Sequence, residues 1–265
     1  MDLAEFAALH TPALQADEVR FNQLIPAIAA AERERPACFR HWTLGAPGHC
    51  AIQQPGRAIL LGNLDEAECR ELARATMEVD YPGVVGTDRT PGDFVEHATA
   101  QGGRFEDPIP QRIHVLSGAP RYPGAPGAPR TVTSADAPLL LEWLTAFQRE
   151  AVPHDPPFER AGAETAAASG RYLFWTVGGE PVAVAAIVRR LKHTGAISSV
   201  FTPPDRRGRG YAGSATAAVA ERIFAEGRTA VCLHTDLRNP ISNRCYARIG
   251  FRPHCDAWHY VRRKE

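Results

Sequence analysis

The chain has 265 residues, 44% of them hydrophobic and 23% charged, enough for a sizeable core in one large domain or two of ordinary size. Thirty basic residues balance thirty acidic ones, and the formal net charge of zero argues against a dedicated nucleic-acid or anionic-membrane binder. No stretch approaches the roughly 18 apolar residues of a membrane span. The opening Met1-Asp2-Leu3-Ala4-Glu5 lacks the basic and apolar regions of a signal peptide. The six cysteines form no C-x-x-C pair and no zinc-finger spacing with histidine, so reduced thiols, a cytoplasmic location and no metal are expected.

In chain order, Pro12–Glu34 is predicted to be mostly helical, with apolar residues at Leu14, Val19, Phe21, Leu24, Ile25 and Ile28 and a break or kink at Pro26. Short strands are expected over Cys38–Leu44, His49–Gln53 and Arg57–Leu61, between Gly and Pro signals. Helices over Asp65–Val79 and Thr90–Ala100 and a strand over Gln111–Leu116 complete a mixed α/β domain, residues 1–117, in which no chemical motif appears.

Gly118 to Arg130 reads GAPRYPGAPGAPR, with prolines at 120, 123, 126 and 129. A period of three suits an extended polyproline II segment and denies both a helix and a central strand. Residues 118–130 are therefore read as a linker to a second domain, 131–265. There, Thr131–Thr133 is a first strand, Ala137–Glu150 is a helix by its apolar spacing, and Phe158–Ala168 is a second helix stopped by Gly170. Strands Arg171–Val177, Pro181–Arg189 and Ala196–Thr202 follow, with Gly178-Gly179 as a hairpin turn. A helix, a strand over Ala230–Thr235, a helix after Asn239 and a strand around Trp258–Val261 complete the order.

The chemistry is concentrated in Ser198–Phe251. After the strand ends at Thr202, Pro203-Pro204 stop it and a Gly-rich turn opens into a helix whose apolar positions include Ala212, Ala215, Val219, Ala220 and Ile223, with Gly227 as its stop. A helix N-terminus presents unpaired N–H groups and a positive dipole end. Gly208 and Gly210 let the backbone approach a phosphate, and Arg206, Arg207 and Arg209 add positive charge. Gly208, Gly210 and Gly213 also satisfy the dinucleotide pattern G-x-G-x-x-G, with Asp236 beyond them. Only 29 residues (265 − 236) follow Asp236, too few for the rest of a doubly wound sheet, and no Gly-Lys-Ser/Thr exists for a P-loop.

Arg207-Gly208-Arg209-Gly210-Tyr211-Ala212 resembles the acetyl-CoA signature R/Q-x-x-G-x-G/A of the GNAT superfamily. The stretch Asn239 to Phe251 resembles that family's next motif, Asn-x-x-(small)-x-x-x-Tyr-x-x-x-Gly-Phe, here through Asn239, Ser242, Tyr246, Gly250 and Phe251. Independently of the resemblance, Asn239 suits an N-cap, Pro240 the first helical position and Gly250 the C-terminal stop. Residues 239, 242, 243 and 246 share one helix face, and Ile241, Cys245 and Ile249 share another, expected to pack. The bland alternative is a capping Asn239 with Tyr246 as a partly buried core tyrosine.

The resemblance covers roughly Thr131 to Arg263. It implies an α/β fold whose mixed, mostly antiparallel central sheet, flanked by helices, splays between Ala196–Thr202 and Ala230–Thr235. It further implies acetyl-CoA as co-substrate, with pantetheine against the backbone of Val200, Phe201 and Thr202. The pyrophosphate would rest on the amides of Arg207, Gly208, Arg209, Gly210, Tyr211 and Ala212, and the CoA arm against Asn239, Ser242 and Asn243. Tyr246 matches the family's tyrosine that protonates the leaving thiolate. The general base is not identified: Ala196–Thr202 holds no acid, and His193 and His234 are candidates by position only. The N-terminal half shows a similar order of elements, either as a decayed GNAT-like domain or as an unrelated α/β lid. The function implied is N-acetyl transfer to a primary amine, with a small-molecule acceptor first. An acyl-CoA-binding sensor without catalysis and a protein-modifying acetyltransferase remain as alternatives.

Overall fold

The computed structural model describes residues 1–34, 39–153 and 157–263. The chain divides into two compact units, Met1–Ile113 with Thr235–Arg238 and Pro253–Glu265, and His114–His234 with Asn239–Arg252. Against the expected division, His114 to Arg130 belongs to the second unit, and Thr235–Arg238 and the chain from Pro253 belong to the first.

In the first unit, helix α1 (Leu3–Leu14) starts at a capping box made by Asp2 and Glu5. The expected single helix is interrupted over residues 15–23, and α2 runs Leu24–Glu34. Pro26 lies in the first turn of α2, where proline is tolerated, and does not break it. Strands β1 (Arg40–Thr43), β2 (Cys50–Gln53) and β3 (Ile59–Leu61) follow; the start of the expected Cys38–Leu44 strand lies outside the described residues. Helix α3 (Glu66–Ala75) leads to β4 (Gly83–Thr87), which the sequence reading missed, then α4 (Thr90–Ala100) and β5 (Ile109–Leu116). The last strand of the chain, β11 (Arg252–Val261), pairs antiparallel with β4 through Gly83↔Val261 to Thr87↔Ala257. Its core packs Ala51, Ile59, Leu61, Leu72, Val84 and Phe94 together.

In the second unit, β6 (Ala128–Thr131), β7 (Tyr172–Val177), β8 (Glu180–Arg190) and β9 (Thr194–Phe201) form antiparallel neighbours, and β10 (Ala230–Asp236) joins β9 in parallel. The parallel step needs a crossover, supplied by α7 (Tyr211–Ala225). Gly178 and Gly179 both take positive φ, 59° and 89°, as a tight hairpin between β7 and β8 requires. Helix α7 packs on one sheet face against Ala183, Ala185, Ile187, Ile197, Val231 and Leu233. Helices α5 (Ala137–Ala151) and α6 (Arg160–Ala168) cover Phe174, Val184 and Ala186 on the other face. Helix α8 (Pro240–Ile249) completes the unit.

The proline-rich segment is bound to this unit along its length. Arg121 N donates to Ile249 O (2.8 Å), Tyr122 Oη donates to Glu221 (2.7 Å), and Trp175 Nε1 donates to Pro126 O (2.8 Å). A Cβ at Gly213 would stand 2.6 Å from Pro123 Cγ, so the glycine admits the strap onto α7. Its last residues form the edge strand β6, where proline is tolerated.

Candidate active site

Pairing between β9 and β10 runs from Ala230↔Thr194 to Leu233↔Ile197 and stops there, while β9 continues to Phe201 and β10 to Asp236. The two parallel strands therefore part from Ser198 and His234 onward, where a splay was expected. Beside the opening, three steps along β9 (Ser198 to Phe201) face two along β8 (Ala186 to Val184), which is a β-bulge. Ser199 takes φ 54° at the bulge, a left-handed conformation rare outside glycine. Its buried side chain is hydrogen-bonded to Tyr172. The bulge takes the backbone of Ser199 and Val200 out of regular register beside the opening.

Past Phe201 the chain makes a short 3-10 turn at Pro204–Arg206 and enters α7 through Gly210, which has φ 82°. Gly208 is also left-handed, at φ 77°. Gly210 contributes no side-chain cap. Ser214 N donates to Gly210 O, but none of the amides of residues 208–213 donates to a described residue. A 15-residue helix thus begins with a cluster of open N–H groups at its positive end. The arginines around it are not equivalent. Arg206 bonds Asp205 (3.1 Å). Arg207 bonds Glu150 (2.8 Å) and Thr202 O (2.9 Å) and lies over the Phe201 ring, so its side chain braces the loop. Arg209 alone of the three has no carboxylate partner among the described residues. Two hydroxyls here, Thr202 Oγ1 and Ser214 Oγ, are buried without a hydrogen-bond partner among the described residues, unlike most buried polar groups.

These features fit a phosphate-bearing ligand with a polar arm. The side chains of Phe201 and Tyr211 are buried in the core, so only their backbone could face such a ligand, whereas Val200 and Ala212 are half-buried.

Helix α8 has the local structure its sequence implies, with the polar groups turned inward on its own cap. Asn239 Oδ1 accepts from Ile241 N (3.2 Å) and Ser242 N (3.1 Å). Ser242 Oγ and Asn243 Nδ2 donate to Asn239 O at 3.1 and 2.7 Å. All three of these side chains are engaged in capping, as in the bland reading. The expected packed face is only partly present: Ile249 is buried and Cys245 half-buried, but Ile241 is 73% exposed. Tyr246 packs on the α7 core with its ring edge-on to Phe251, 6.1 Å between centroids. Its hydroxyl bonds no described residue, and burial pushes its pKa up, which keeps the phenol protonated.

Of the candidate bases, His193 is exposed in the turn that begins β9, at the end remote from the opening. His234 stands at the opening, but burial and the charges of Arg189 and His114 lower its pKa to about 3. It is a neutral imidazole and a weak proton acceptor. The sequence reading missed Arg189 at this site, because it follows an apolar run and reads as a strand end. It also missed Ser199, whose positive φ has no sequence signal. Among the described residues no group of three or more His, Cys, Asp or Glu could hold a metal ion, and no helix is long and apolar enough to cross a membrane.

A mixed sheet that parts at a parallel pair, with a glycine-turned helix entering beside the gap, is the architecture of GNAT-type acyltransferases. The Acetyltransferase (GNAT) family model matches residues 137–251, a GNAT-type segment within the chain. No curated protein matches. Similar solved structures extend over most of the chain. A GCN5-related N-acetyltransferase from Kribbella flavida is 17% identical, with TM-score 0.59, covering 90% of this chain and 95% of its own. A putative GNAT acetyltransferase from Novosphingobium aromaticivorans is 20% identical, with TM-score 0.54, covering 83% and 91%. A Drosophila protein is 14% identical, with TM-score 0.67, covering 98% and 97%. At these identities the likeness is one of fold.

Proposed function

We propose that the protein is an N-acetyltransferase that moves the acetyl group of acetyl-CoA to the primary amine of a small molecule. The observation that carries this reading is the uncapped N-terminus of α7, with its open amides at residues 208–213, beside the parted strands β9 and β10. Those amides suit the pyrophosphate, and the bulge at Ser199–Val200 suits pantetheine and the thioester, with Thr202 Oγ1 and Ser214 Oγ available as polar contacts. Asn239, Ser242 and Asn243 would act by holding α8 in place, with only their remaining capacity for the CoA arm.

In this reading a neutral amine attacks the thioester carbonyl, and a backbone N–H at the bulge stabilises the oxyanion. The C–S bond breaks as the amide C–N bond forms. The leaving thiolate takes the Tyr246 proton, and the proton lost by the amine restores the phenol through solvent. Because His234 is a weak base, the acceptor enters already deprotonated.

Titration of thermal stability with acetyl-CoA, with NAD as control, tests the reading. Ligand at about 100 times its dissociation constant adds about 2.7 kcal/mol. A rise in midpoint with acetyl-CoA, followed by amine-dependent thiol release, is expected. A rise with NAD alone overturns the assignment.

A further inference from the structure

Arg20, Arg112, Arg130, Arg190 and Arg238 each bond a carboxylate that raises their basicity. Arg189 differs. Its Nε is buried with no hydrogen-bond partner, and no side-chain hydrogen bond or ion pair joins it to a described residue. Burial lowers its pKa, and no carboxylate offsets that. The side chain is half-buried, and a cation with a buried Nε and no counter-charge beside it calls for an explanation.

Its position supplies one. The pairing Ile187↔Ile197 is followed by Arg189↔Ala196, two residues on β8 against one on β9. Without this second bulge Arg189 would point with Ile187 toward α7; with it, Arg189 shares the opposite face with Ala196. Ala196 in turn is level with Cys232. The charge of Arg189 acts on Cys232 and His234 of the neighbouring strand. The groups gathered there are Arg189, Cys232, His234 and His114, with Ser198 beside them, and none is an acid. Strand β9 has no acid, Glu180 lies at the far end of β8, and Asp236, the only acid of β10, is bonded by Arg238 at 3.0 to 3.3 Å.

We propose that Arg189 binds the carboxylate of the acceptor, so that the substrate is an amino acid. The proposal rests on the reading of the β9–β10 opening as the acetyl-transfer site. On β9 Arg189 is level with Ala196, four residues short of Val200, or about 13 Å along the strand. A guanidinium–carboxylate contact takes about 3 Å, so the arginine side chain and the acceptor together span the rest.

The test compares glycine and β-alanine with glycinamide and ethylamine as acceptors, by thiol release from acetyl-CoA, in wild type, Arg189→Met and Arg189→Lys. Wild type should favour the acids. In Arg189→Met, kcat/KM for the acids should fall by about 10²–10³-fold, mostly through KM, and the preference for acid over amide should collapse, since the carboxylate loses its cationic partner. Arg189→Lys should restore part of it. The thermal midpoint of ligand-free Arg189→Met should not fall, because no interaction is broken; a fall would mean that the arginine is a structural group. Equal turnover of acids and amides by wild type, or an unchanged preference in Arg189→Met, overturns the proposal. If acetyl-CoA binds but no amine is acetylated, the transferase reading fails separately. Calorimetry of glycine on the wild-type–CoA complex then decides: binding abolished by Arg189→Met supports the carboxylate site, and no binding to wild type refutes it.

Discussion

Replacing Gly208 by aspartate separates anion binding from folding, because the two effects have opposite signs. Gly208 is exposed, has φ 77°, and a Cβ built there meets nothing within 4 Å. Asp and Asn are the residues that best tolerate the left-handed region, so either fits with little strain. In the ligand-free protein an aspartate near the uncapped start of α7 should be neutral or stabilising by about 0.3–1 kcal/mol through the helix dipole. Against bound acetyl-CoA the same charge faces the phosphates. Two unit charges 4 Å apart interact by about 1 kcal/mol in water and about 4 kcal/mol at an effective dielectric of 20. With two phosphate charges at this exposed position, about 2–4 kcal/mol is a reasonable total, or roughly 30- to 1,000-fold in dissociation constant. Gly208→Asn has the same shape without the charge and should stay within a few-fold of wild type. Calorimetric titration of both variants, in low salt and in about 1 M salt where the screening length is about 3 Å, gives the comparison. An unchanged dissociation constant in Gly208→Asp at low salt would refute the assignment of the phosphates to this helix end.

Tyr246→Phe should lower kcat by ~10²–10⁴-fold with acetyl-CoA affinity kept, in steady-state kinetics beside calorimetry; unchanged turnover removes it from the mechanism. Asp136 bonds Arg130 through both oxygens at 2.8 Å and also Thr133 N and Oγ1, which holds its pKa well below the usual carboxylate range. Asp136→Asn should cost about 2 kcal/mol at pH 7 in urea unfolding. The wild-type advantage is fully present above the unfolded pKa near 3.8 and lost as pH falls through the lower folded value. His234 is likewise depressed, from 6.5 to about 3, so the unfolded chain binds the extra proton and stability drops as pH falls through that window; His234→Gln should flatten this acid limb.

Much of the second unit was legible because its local chemistry is explicit. A strand, two prolines, a glycine turn and a capped helix with Gly250 at its end each carry their own conformational instruction, and the structure follows them. What failed depends on partners distant in sequence. Gly83–Thr87, with two glycines, has no alternating pattern, and it becomes a strand through pairing with Tyr260 and its neighbours in β11. The proline segment was rightly denied a helix, but its role as a bound strap depends on Gly213 leaving room for Pro123 and on Trp175 reaching Pro126. Arg189 and Ser199 owe their placement to bulges, which shift register by one residue and leave no mark in composition.

The first unit contains the same succession of strand, helix and parallel strand, but its helix start differs in detail from that of α7. Strand β3 is parallel to β4 and α3 crosses between them, as α7 does between β9 and β10. The connection into α3, however, is only Gly62 to Asp65, against Thr202 to Gly210 before α7. Asp65 accepts from Glu68 N and Glu68 accepts from Asp65 N, both at 2.9 Å, so a reciprocal carboxylate cap already occupies the start of α3. Glu66 and Glu68 add negative charge in the first turn. A phosphate would have to displace an internal ligand and then face like charge, which inverts the conditions at α7. Gly62 is no substitute for Gly208, since a Cβ there would stand 2.4 Å from Gly48 O; its small size serves packing of the loop. The two helix starts differ in the sign of what fills them, so of the two α7 is the one whose start suits an anion.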